Sequence, residues 1–287
     1  MVEKINIREY LKQFASQHVI YKPNPGNAGD CVIASATYQL FDQCCVDYQV
    51  YRKGNDTKNA VVMYGGGGNL VGIYTNAREF LGGHHQKASK FILLPHTIAG
   101  NEQLLGELGK NTTIICRELE SYRHAKEFAS NCEVLLADDL ALSLDLGRIK
   151  SLPRIPPLSA RVLACIPELV KNDLLLKYKL RDFKDSRSLS CFRVDPESAM
   201  SILPDKNIDL SEVLRYKESP RFVCDWITQS FLMVLDQFET INTDRLHIGI
   251  VGGLLGKSTR LYPGNYYKNE AVFEFSIKPR LSNVTFG

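Results

Sequence analysis

An arginine and a histidine stand two residues apart in the segment Thr243-Asp244-Arg245-Leu246-His247, between an apolar run and a glycine-rich one. A guanidinium stays charged and can bind a carboxylate or phosphate through two N–H groups, and an imidazole titrates near neutral pH. Such a pair could bind an anionic group and transfer a proton beside it. We therefore predict that Arg245 and His247 form the centre of transfer chemistry on a phosphorylated or carboxylated substrate.

Two glycine-containing insertions also follow apolar runs. Residues 24–30 read Asn-Pro-Gly-Asn-Ala-Gly-Asp and precede a predicted helix, whose N terminus would present N–H groups to an anion. Asn27 and Asp30 could contact a ligand there, although Asp30 could equally cap the helix of an ordinary turn. Residues 65–68 are four consecutive glycines followed by Asn69, which suggests a close backbone approach or a positive φ. The spacing is not that of a dinucleotide-binding loop.

Three further polar segments stand at the ends of predicted strands. His96 follows a strand in Leu-Pro-His-Thr, and Arg117 follows another in Cys-Arg-Glu. An arginine at a strand end can bind a carboxylate or phosphate with two hydrogen bonds. Asp138 and Asp139 end a third strand and could bind a hydroxyl group or cap a helix.

Several classes of protein are excluded by composition. The 35 Lys and Arg residues nearly balance the 32 Asp and Glu residues, and no dense basic tract indicates nucleic-acid binding. No apolar run reaches the roughly 18 residues of a membrane span. The eight cysteines contain no C-x-x-C pair and mostly lie in apolar runs, so we expect reduced, buried thiols in an intracellular protein. Gly256-Lys257-Ser258 resembles the end of a P-loop, but Val251 stands where the glycine must be.

The length of 287 residues, 44% of them hydrophobic, exceeds what one core usually supports, so we predict two domains. Three prolines in residues 151–158 indicate a linker at 151–160 between domains at 1–150 and 161–287, and the last helix could pack back on the first domain. Alternating strand and helix patterns in the first half predict an α/β fold with a parallel sheet. Thr243 or Asp244 would cap the helix that contains His247.

The apolar periodicity places the individual elements. Strands are predicted at 18–21, 46–51, 60–64, 91–94, 112–116, 134–137, 188–193, 238–241 and 259–262. Helices are predicted at 30–41, after the glycine run to 80, from 118 to 129, at 223–238 and from 265.

Taken in order, these segments resemble the polysaccharide pyruvyl transferase family. The resemblance covers nearly the whole chain, although the chain is compact for the family and residues 170–187 match nothing in it. The acceptor pocket could therefore differ from that of the family or be assembled with a partner. The matching segments are 26–30, 65–69, 95–97, 117–121, 138–139, 243–247 and 262–269.

The resemblance implies two Rossmann-like domains facing a cleft, as in GT-B glycosyltransferases. It also implies that phosphoenolpyruvate, as co-substrate, gives its pyruvyl group to two hydroxyls of a sugar in a polysaccharide or lipid-linked precursor. The products are a pyruvate ketal and phosphate, with no metal or other cofactor. The catalytic residues would be His247 as general acid or base, Arg245, and His96 as second candidate. Residues expected to bind the donor are Arg117, Gly66, Gly67, Gly68, Asn69 and Lys268, and those expected near the acceptor are Asn27, Asp30, Asp139 and Asn265.

Two other functions are compatible with the sequence. A GT-B glycosyltransferase using a nucleotide sugar would share the fold and also needs glycine loops and cations for a diphosphate. A non-catalytic protein that binds a glycan or its biosynthetic partners would keep the fold without turnover. For either enzyme we expect a cytoplasmic location, with contact to the inner membrane face if the acceptor is lipid-linked.

Overall fold

The computed structural model describes residues 3–24, 26–154, 160–195, 197–199, 201–216 and 220–287, without the side chains of 160–162. Most of the predicted linker, residues 155–159, lies outside this description. The chain divides into two compact units: Met1–Pro25 with Ala36–Ser143, and Gly26–Ser35 with Leu144–Gly287. The second unit therefore includes a short segment from near the N terminus, an assignment not apparent from the sequence.

The first unit is built around a seven-stranded parallel sheet, as the alternating pattern predicted. The strand order is β2-β1-β3-β5-β6-β7, and β4 pairs with β5. This is a doubly wound order, in which the direction of sheet growth reverses between β1 and β3. Its elements are α1 (Ile7–Lys12), β1 (His18–Lys22), α2 (Ala28–Gln43), β2 (Asp47–Val50), β3 (Val61–Tyr64), β4 (Gly67–Leu70), α3 (Asn76–His84), β5 (Lys90–Ile98), α4 (Glu102–Glu107), β6 (Thr112–Cys116), α5 (Leu119–Phe128) and β7 (Glu133–Leu136).

Strand β5 is the centre of this sheet and is buried from Phe91 to Ile98. Its apolar side chains reach both faces, as expected of a parallel strand covered by helices on each side. The strand continues through Pro95, past its predicted end, with a shift in register against β6 between Leu93 and His96. A proline has no N–H to donate, so the ladder is interrupted there without ending the strand.

The second unit contains a four-stranded parallel sheet in the order β11-β10-β9-β8. Besides the first part of α2, its elements are α6 (Leu146–Ser151), α7 (Ala160–Lys179), β8 (Ser188–Cys191), α8 (Leu210–Val213), α9 (Arg221–Leu235), β9 (Thr240–Thr243), α10 (Leu246–Leu254), β10 (Ser258–Leu261), α11 (Lys268–Val272) and β11 (Val284–Phe286).

Helix α10 packs closely on this sheet because it contains glycines. A Cβ on Gly252 would lie 2.6 Å from Oγ1 of Thr259, and one on Gly253 would lie 2.5 Å from a methyl carbon of Val284. Gly256 follows the helix with φ of 75° and leads into β10. A P-loop instead leads into a helix, so the rejection of that motif is confirmed.

None of the helices in the described part of the chain combines the length and apolar character needed to cross a membrane.

Candidate functional site

Polar side chains gather at the carboxyl edge of the first unit's sheet. Asn24 follows β1, Asn69 lies in β4, His96 lies in the last part of β5, Arg117 follows β6 and Asp139 follows β7. Parallel strands bring their carboxyl ends to one edge, and ligands of doubly wound folds bind there, next to the reversal point. The structure thus brings four predicted site residues to one edge, together with Asn24, which was not predicted individually.

His96 is fixed at this edge by Asn69. The backbone N–H of Asn69 donates to Nε2 of His96 at 3.1 Å, and Oδ1 of Asn69 lies 2.9 Å from the same nitrogen. The side-chain amide of Asn69 donates to Oδ1 of Asn24 at 2.5 Å and to the hydroxyl of Tyr64 at 3.1 Å. Asn69, which the sequence predicted to bind the donor, therefore connects Asn24 and Tyr64 to His96.

Burial decides the charge of His96. The side chain is fully buried, and this burial lowers its pKa to about 3, with a smaller contribution from the positive charge of Arg117. The backbone of Gly65 and the charge of Asp139 act in the opposite direction without overcoming burial. The ring is therefore neutral at physiological pH and suits hydrogen bonding better than the acid role predicted as second choice.

Arg117 is bound by groups of its own unit. Its Nη1 donates to Oδ2 of Asp139 at 2.7 Å, and its Nε donates to Oγ1 of Thr97 at 2.8 Å. Both partners of the ion pair are 1% exposed. Oδ1 of Asp139 accepts from the N–H of Ala141 at 2.9 Å, so this aspartate caps the short 3₁₀ helix Leu140–Ser143, the alternative that the sequence left open. A phosphate that bound here would contact a guanidinium that is already paired with the carboxylate of Asp139.

The first glycine of the run is explained by packing within the protein. A Cβ on Gly65 would lie 2.6 Å from the backbone nitrogen of Asn24 and 3.2 Å from Cα of Pro23. The chain segments after β1 and β3 can therefore pass each other only if position 65 has no side chain.

The rest of the run is partly a strand, so the interpretation of residues 65–68 as an insertion after a strand is wrong for its second half. Gly67 and Gly68 lie in β4, and Gly67 pairs with His96 of β5. Gly67 has φ of 147°, a conformation that favours glycine. Gly66 precedes the strand and is buried.

In the second unit, His247 lies against the loop of residues 26–30. A Cβ on Gly29 would lie 2.6 Å from Nδ1 of His247 and 3.2 Å from its Cβ. Oδ1 of Asn27 accepts from the N–H of Gly29 at 2.8 Å, and Oδ2 of Asp30 accepts from the N–H of Asn27 at 2.9 Å. Two segments more than 200 residues apart in sequence thus meet at one imidazole.

Two helix N termini meet at the same place. Gly29 is the second residue of α2, and His247 is the second residue of α10. The N-cap of α10 is Arg245, so the prediction that Thr243 or Asp244 caps this helix is wrong. Oγ1 of Thr243 instead accepts from the N–H of Arg245 at 3.0 Å and donates to the carbonyl of Cys191 at 2.6 Å. Helix N termini favour negative charge, so this is a suitable position for an anionic ligand.

The guanidinium of Arg245 is bound to carboxylates. Its Nε and Nη2 donate to the two oxygens of Asp209 at 3.0 and 2.5 Å, and Nη2 lies 2.8 Å from Oδ2 of Asp195. Burial disfavours its charge, but the hydrogen bond and charge of Asp209 outweigh this and raise the pKa of Arg245. These contacts hold the guanidinium of Arg245 in place, and a bound anion would have to compete with the two carboxylates.

Arg193 extends the same set of ion pairs. It donates to both oxygens of Asp195, at 2.7 and 3.0 Å, and to Oε2 of Glu197 at 2.8 Å. Lys268, a predicted donor-binding residue, lies 2.5 Å from the same oxygen of Glu197. Asn265, predicted near the acceptor, donates its backbone N–H to the carbonyl of Glu197 at 3.2 Å.

We call this set of alternating cations and carboxylates the charge chain. It connects the segments that follow β8, β9 and β10. Sequence reasoning missed four of its members, although Arg193 carries the signal used for Arg117, an arginine at a strand end. Its members are Lys268, Glu197, Arg193, Asp195, Arg245 and Asp209.

Asp244 lies beside the charge chain and is fully buried. Its Oδ1 accepts from the N–H of Arg193 at 2.8 Å. Burial raises its pKa to about 6, although the hydrogen bond from the Arg193 backbone and the charges of Arg193 and Arg245 lower it. The carboxyl group thus titrates close to neutral pH, within three residues of His247.

No protein-family model and no curated protein matches the chain. Among solved structures it is similar to the crystal structure of a functionally uncharacterized protein from Klebsiella pneumoniae subsp. pneumoniae NTUH-K2044. The match has 31% sequence identity and a TM-score of 0.78, and it covers 98% of this chain and 96% of that one. With this identity over nearly all of both sequences, the chain belongs to the same protein family as the Klebsiella protein.

Proposed function

We propose that the protein transfers the pyruvyl group of phosphoenolpyruvate to two hydroxyls of a sugar. The observation that supports this best is the contact between the imidazole of His247 and Gly29. Both residues belong to segments of the resemblance to polysaccharide pyruvyl transferases. Their contact joins a titratable group to two helix N termini, which suits an anionic substrate that must be protonated.

The chemistry assigns separate tasks to the helix ends and the imidazole. The N termini of α2 and α10 would bind the phosphate or carboxylate of phosphoenolpyruvate. Protonation of the methylene carbon gives a methyl group and makes C2 electrophilic, so a sugar hydroxyl adds to C2 and returns a proton to the imidazole of His247. Phosphate then leaves with its bonding electrons and takes up the proton that a second hydroxyl loses as it adds to C2 and completes the ketal. His247 is proposed as the group that delivers the proton to the methylene carbon.

The other predicted site residues take supporting roles in this proposal. Because Arg245 and Lys268 are paired with carboxylates of the charge chain, we assign them to positioning the loops around His247. His96 and Arg117 position the carboxyl edge of the first unit, where neutral His96 can donate or accept a hydrogen bond. The proposal keeps a GT-B-like pair of Rossmann-like domains, and a cytoplasmic enzyme whose acceptor belongs to a polysaccharide or its lipid-linked precursor.

The test is phosphate release from phosphoenolpyruvate by the purified protein, with and without galactosides, glucosides and mannosamine derivatives. The His247→Ala variant should lose about 10²–10⁴-fold of any sugar-dependent release, the usual contribution of a positioned acid or base. His18→Ala is the matched control, because His18 is an exposed histidine paired with Asp47 in the first unit. It should release phosphate at the wild-type rate.

The principal alternative, a glycosyltransferase that uses a nucleotide sugar, predicts the opposite result. In that case phosphoenolpyruvate gives no sugar-dependent phosphate release, and nucleotide sugars, rather than phosphoenolpyruvate, raise the thermal midpoint of the protein. That pair of results would overturn the proposal.

A further inference from the structure

Helix α7 is apolar on two opposite sides. Cys165, Leu169 and Leu176 are buried on one side, where the helix packs against α8 and α9. Four large apolar residues on the other side are exposed: Leu163 (45%), Val170 (41%), Leu174 (61%) and Tyr178 (65%). A helix covered by its own domain on one side needs apolar residues only there.

The exposed residues form a single stripe. At about 100° per residue, positions 163, 170, 174 and 178 fall within about 80° of one another. Pro167, also exposed, lies in the same stripe. Scattered apolar residues are common on protein surfaces, but a continuous row of them marks an interaction site. We call these five residues the α7 stripe.

Lysines border the α7 stripe on both sides. Viewed down the helix axis, Lys177 lies at one edge of the α7 stripe and Lys171 lies at the other edge, and both are exposed. At and beyond the C-terminal end of α7 the exposed charges are mixed: Lys179, Arg181 and Lys184 alternate with Asp182 and Asp185.

The carboxylates of α7 itself are placed away from the α7 stripe. Glu168 is exposed but lies about 120° around the helix from the centre of the stripe. Asp173 faces the protein, where its carboxylate accepts hydrogen bonds from Arg154 and Ser230 at 2.7 and 2.8 Å. Among the described side chains of α7, the charges nearest the stripe are therefore positive.

From this arrangement we infer that the α7 stripe binds the surface of a membrane that contains anionic lipids, with α7 lying in the plane of the interface. The apolar residues enter the boundary between headgroups and acyl chains, while Lys171 and Lys177 extend to the phosphates. A second copy of this chain is a poorer occupant, because two α7 stripes packed together bring Lys171 and Lys177 towards the same lysines of the other copy, with no carboxylate of α7 on that face.

The test is cosedimentation of the purified protein with phosphatidylcholine vesicles, with or without about one third phosphatidylglycerol. Binding is expected on the anionic vesicles and should weaken as salt is raised. Lys171→Gln with Lys177→Gln should lower the partition coefficient by about tenfold or more, since each lysine near an anionic surface contributes about fivefold. Leu174→Ser with Tyr178→Ser should lower it by at least as much.

Matched controls separate the α7 stripe from general effects of charge or hydrophobicity. Met233→Ser removes an apolar side chain that is 58% exposed on α9, and Lys58→Gln with Lys110→Gln removes two exposed lysines of the first unit. These controls should bind as the wild type does.

Any of three results would overturn the inference. The first is the absence of binding to anionic vesicles, and the second is equal binding by the α7 variants and the wild type. The third is a dimer in analytical ultracentrifugation that Leu174→Ser with Tyr178→Ser dissociates while vesicle binding stays unchanged. This third result would show that a second copy covers the α7 stripe.

Discussion

The imidazole of His247 packs directly on the backbone of Gly29, with Nδ1 only 2.6 Å from where a Cβ would stand. Oδ1 of Asn27 fixes this backbone by accepting from the N–H of Gly29 at 2.8 Å. The segment of residues 26–30 therefore sets the position of the ring. Position 29 is glycine because a side chain there would clash with His247, and not because the backbone has a positive φ. A substitution at Gly29 can therefore test the role of His247 while the histidine itself stays in place.

Gly29→Ala should lower sugar-dependent phosphate release by about 10²-fold, because a displacement of about 1 Å in a reacting group can cost that much. The thermal midpoint should fall little, since alanine favours a helix more than glycine does and the clash involves a side chain. The measurement is the rate of phosphate release together with a thermal melt.

Gly83→Ala is the control for that substitution. Gly83 lies within α3, and nothing is within 4 Å of where its Cβ would stand. It should leave the rate of phosphate release unchanged and raise the thermal midpoint slightly. Equal rates for Gly29→Ala and wild type would show that the position of His247 does not limit the reaction.

Arg193→Lys should destabilise the second unit by about 3 kcal/mol, because a lysine cannot make the paired hydrogen bonds to Asp195 and also reach Glu197. The side chains of Arg193 and Glu197 are each 5% exposed, so the carboxylate of Glu197 has little access to water when it loses this partner. Urea unfolding followed by far-UV circular dichroism measures the loss.

Arg187→Lys supplies the comparison, because Arg187 forms an ion pair with Glu239 at 2.9 Å while its side chain is 83% exposed. Exposed ion pairs contribute about 0–1 kcal/mol, so this change should be nearly neutral. Equal effects of the two substitutions would mean that the charge chain does not stabilise the fold.

Much of the fold follows from local sequence pattern, and the reason is burial. Strand β5 is buried from Phe91 onwards and β6 along its whole length, so their apolar residues occur in consecutive runs that are visible in the sequence. Helix α7 was not assigned because Pro167, a residue that disfavours helix interiors, lies inside it and because apolar residues occur on two of its sides. Two apolar sides obscure the single apolar stripe by which a surface helix is recognised.

The candidate site was predictable only in part. The strand-end position identified His96, Arg117 and Arg245 because parallel strands bring their carboxyl ends together. The partners of Arg245 could not be found in this way, because Asp195 and Asp209 lie in irregular segments distant in sequence. Whether a guanidinium is available to a substrate depends on those partners, which local pattern does not reveal.

Gly65→Ala should lower the thermal midpoint, because its Cβ would lie 2.6 Å from a backbone nitrogen, that of Asn24, which cannot rotate away. Overpacking of this kind usually costs about 1–3 kcal/mol. Gly72→Ala is the control, since nothing lies within 4 Å of the corresponding position and Gly72 is exposed. Equal midpoints for the two variants would contradict the close approach of the segments after β1 and β3.

Asp244→Asn should change the pH dependence of stability. Burial raises the pKa of Asp244 from 3.8 to about 6, so between these values the folded protein binds more protons than the unfolded chain. The contribution of this group to the free energy of unfolding therefore falls as pH rises through that window. Asparagine has no such ionisation, and its amide oxygen can still accept from the N–H of Arg193.

The difference in stability between Asp244→Asn and wild type should consequently grow in favour of the variant from pH 4 to pH 7, by up to about 3 kcal/mol. Other buried groups, such as Glu118 with its pKa raised to about 7 chiefly by burial, titrate in both proteins and cancel in the difference. Urea unfolding at half-unit steps of pH measures it. A difference that is constant from pH 4 to pH 7 would show that Asp244 ionises as it does in water, and that burial does not disfavour its charge.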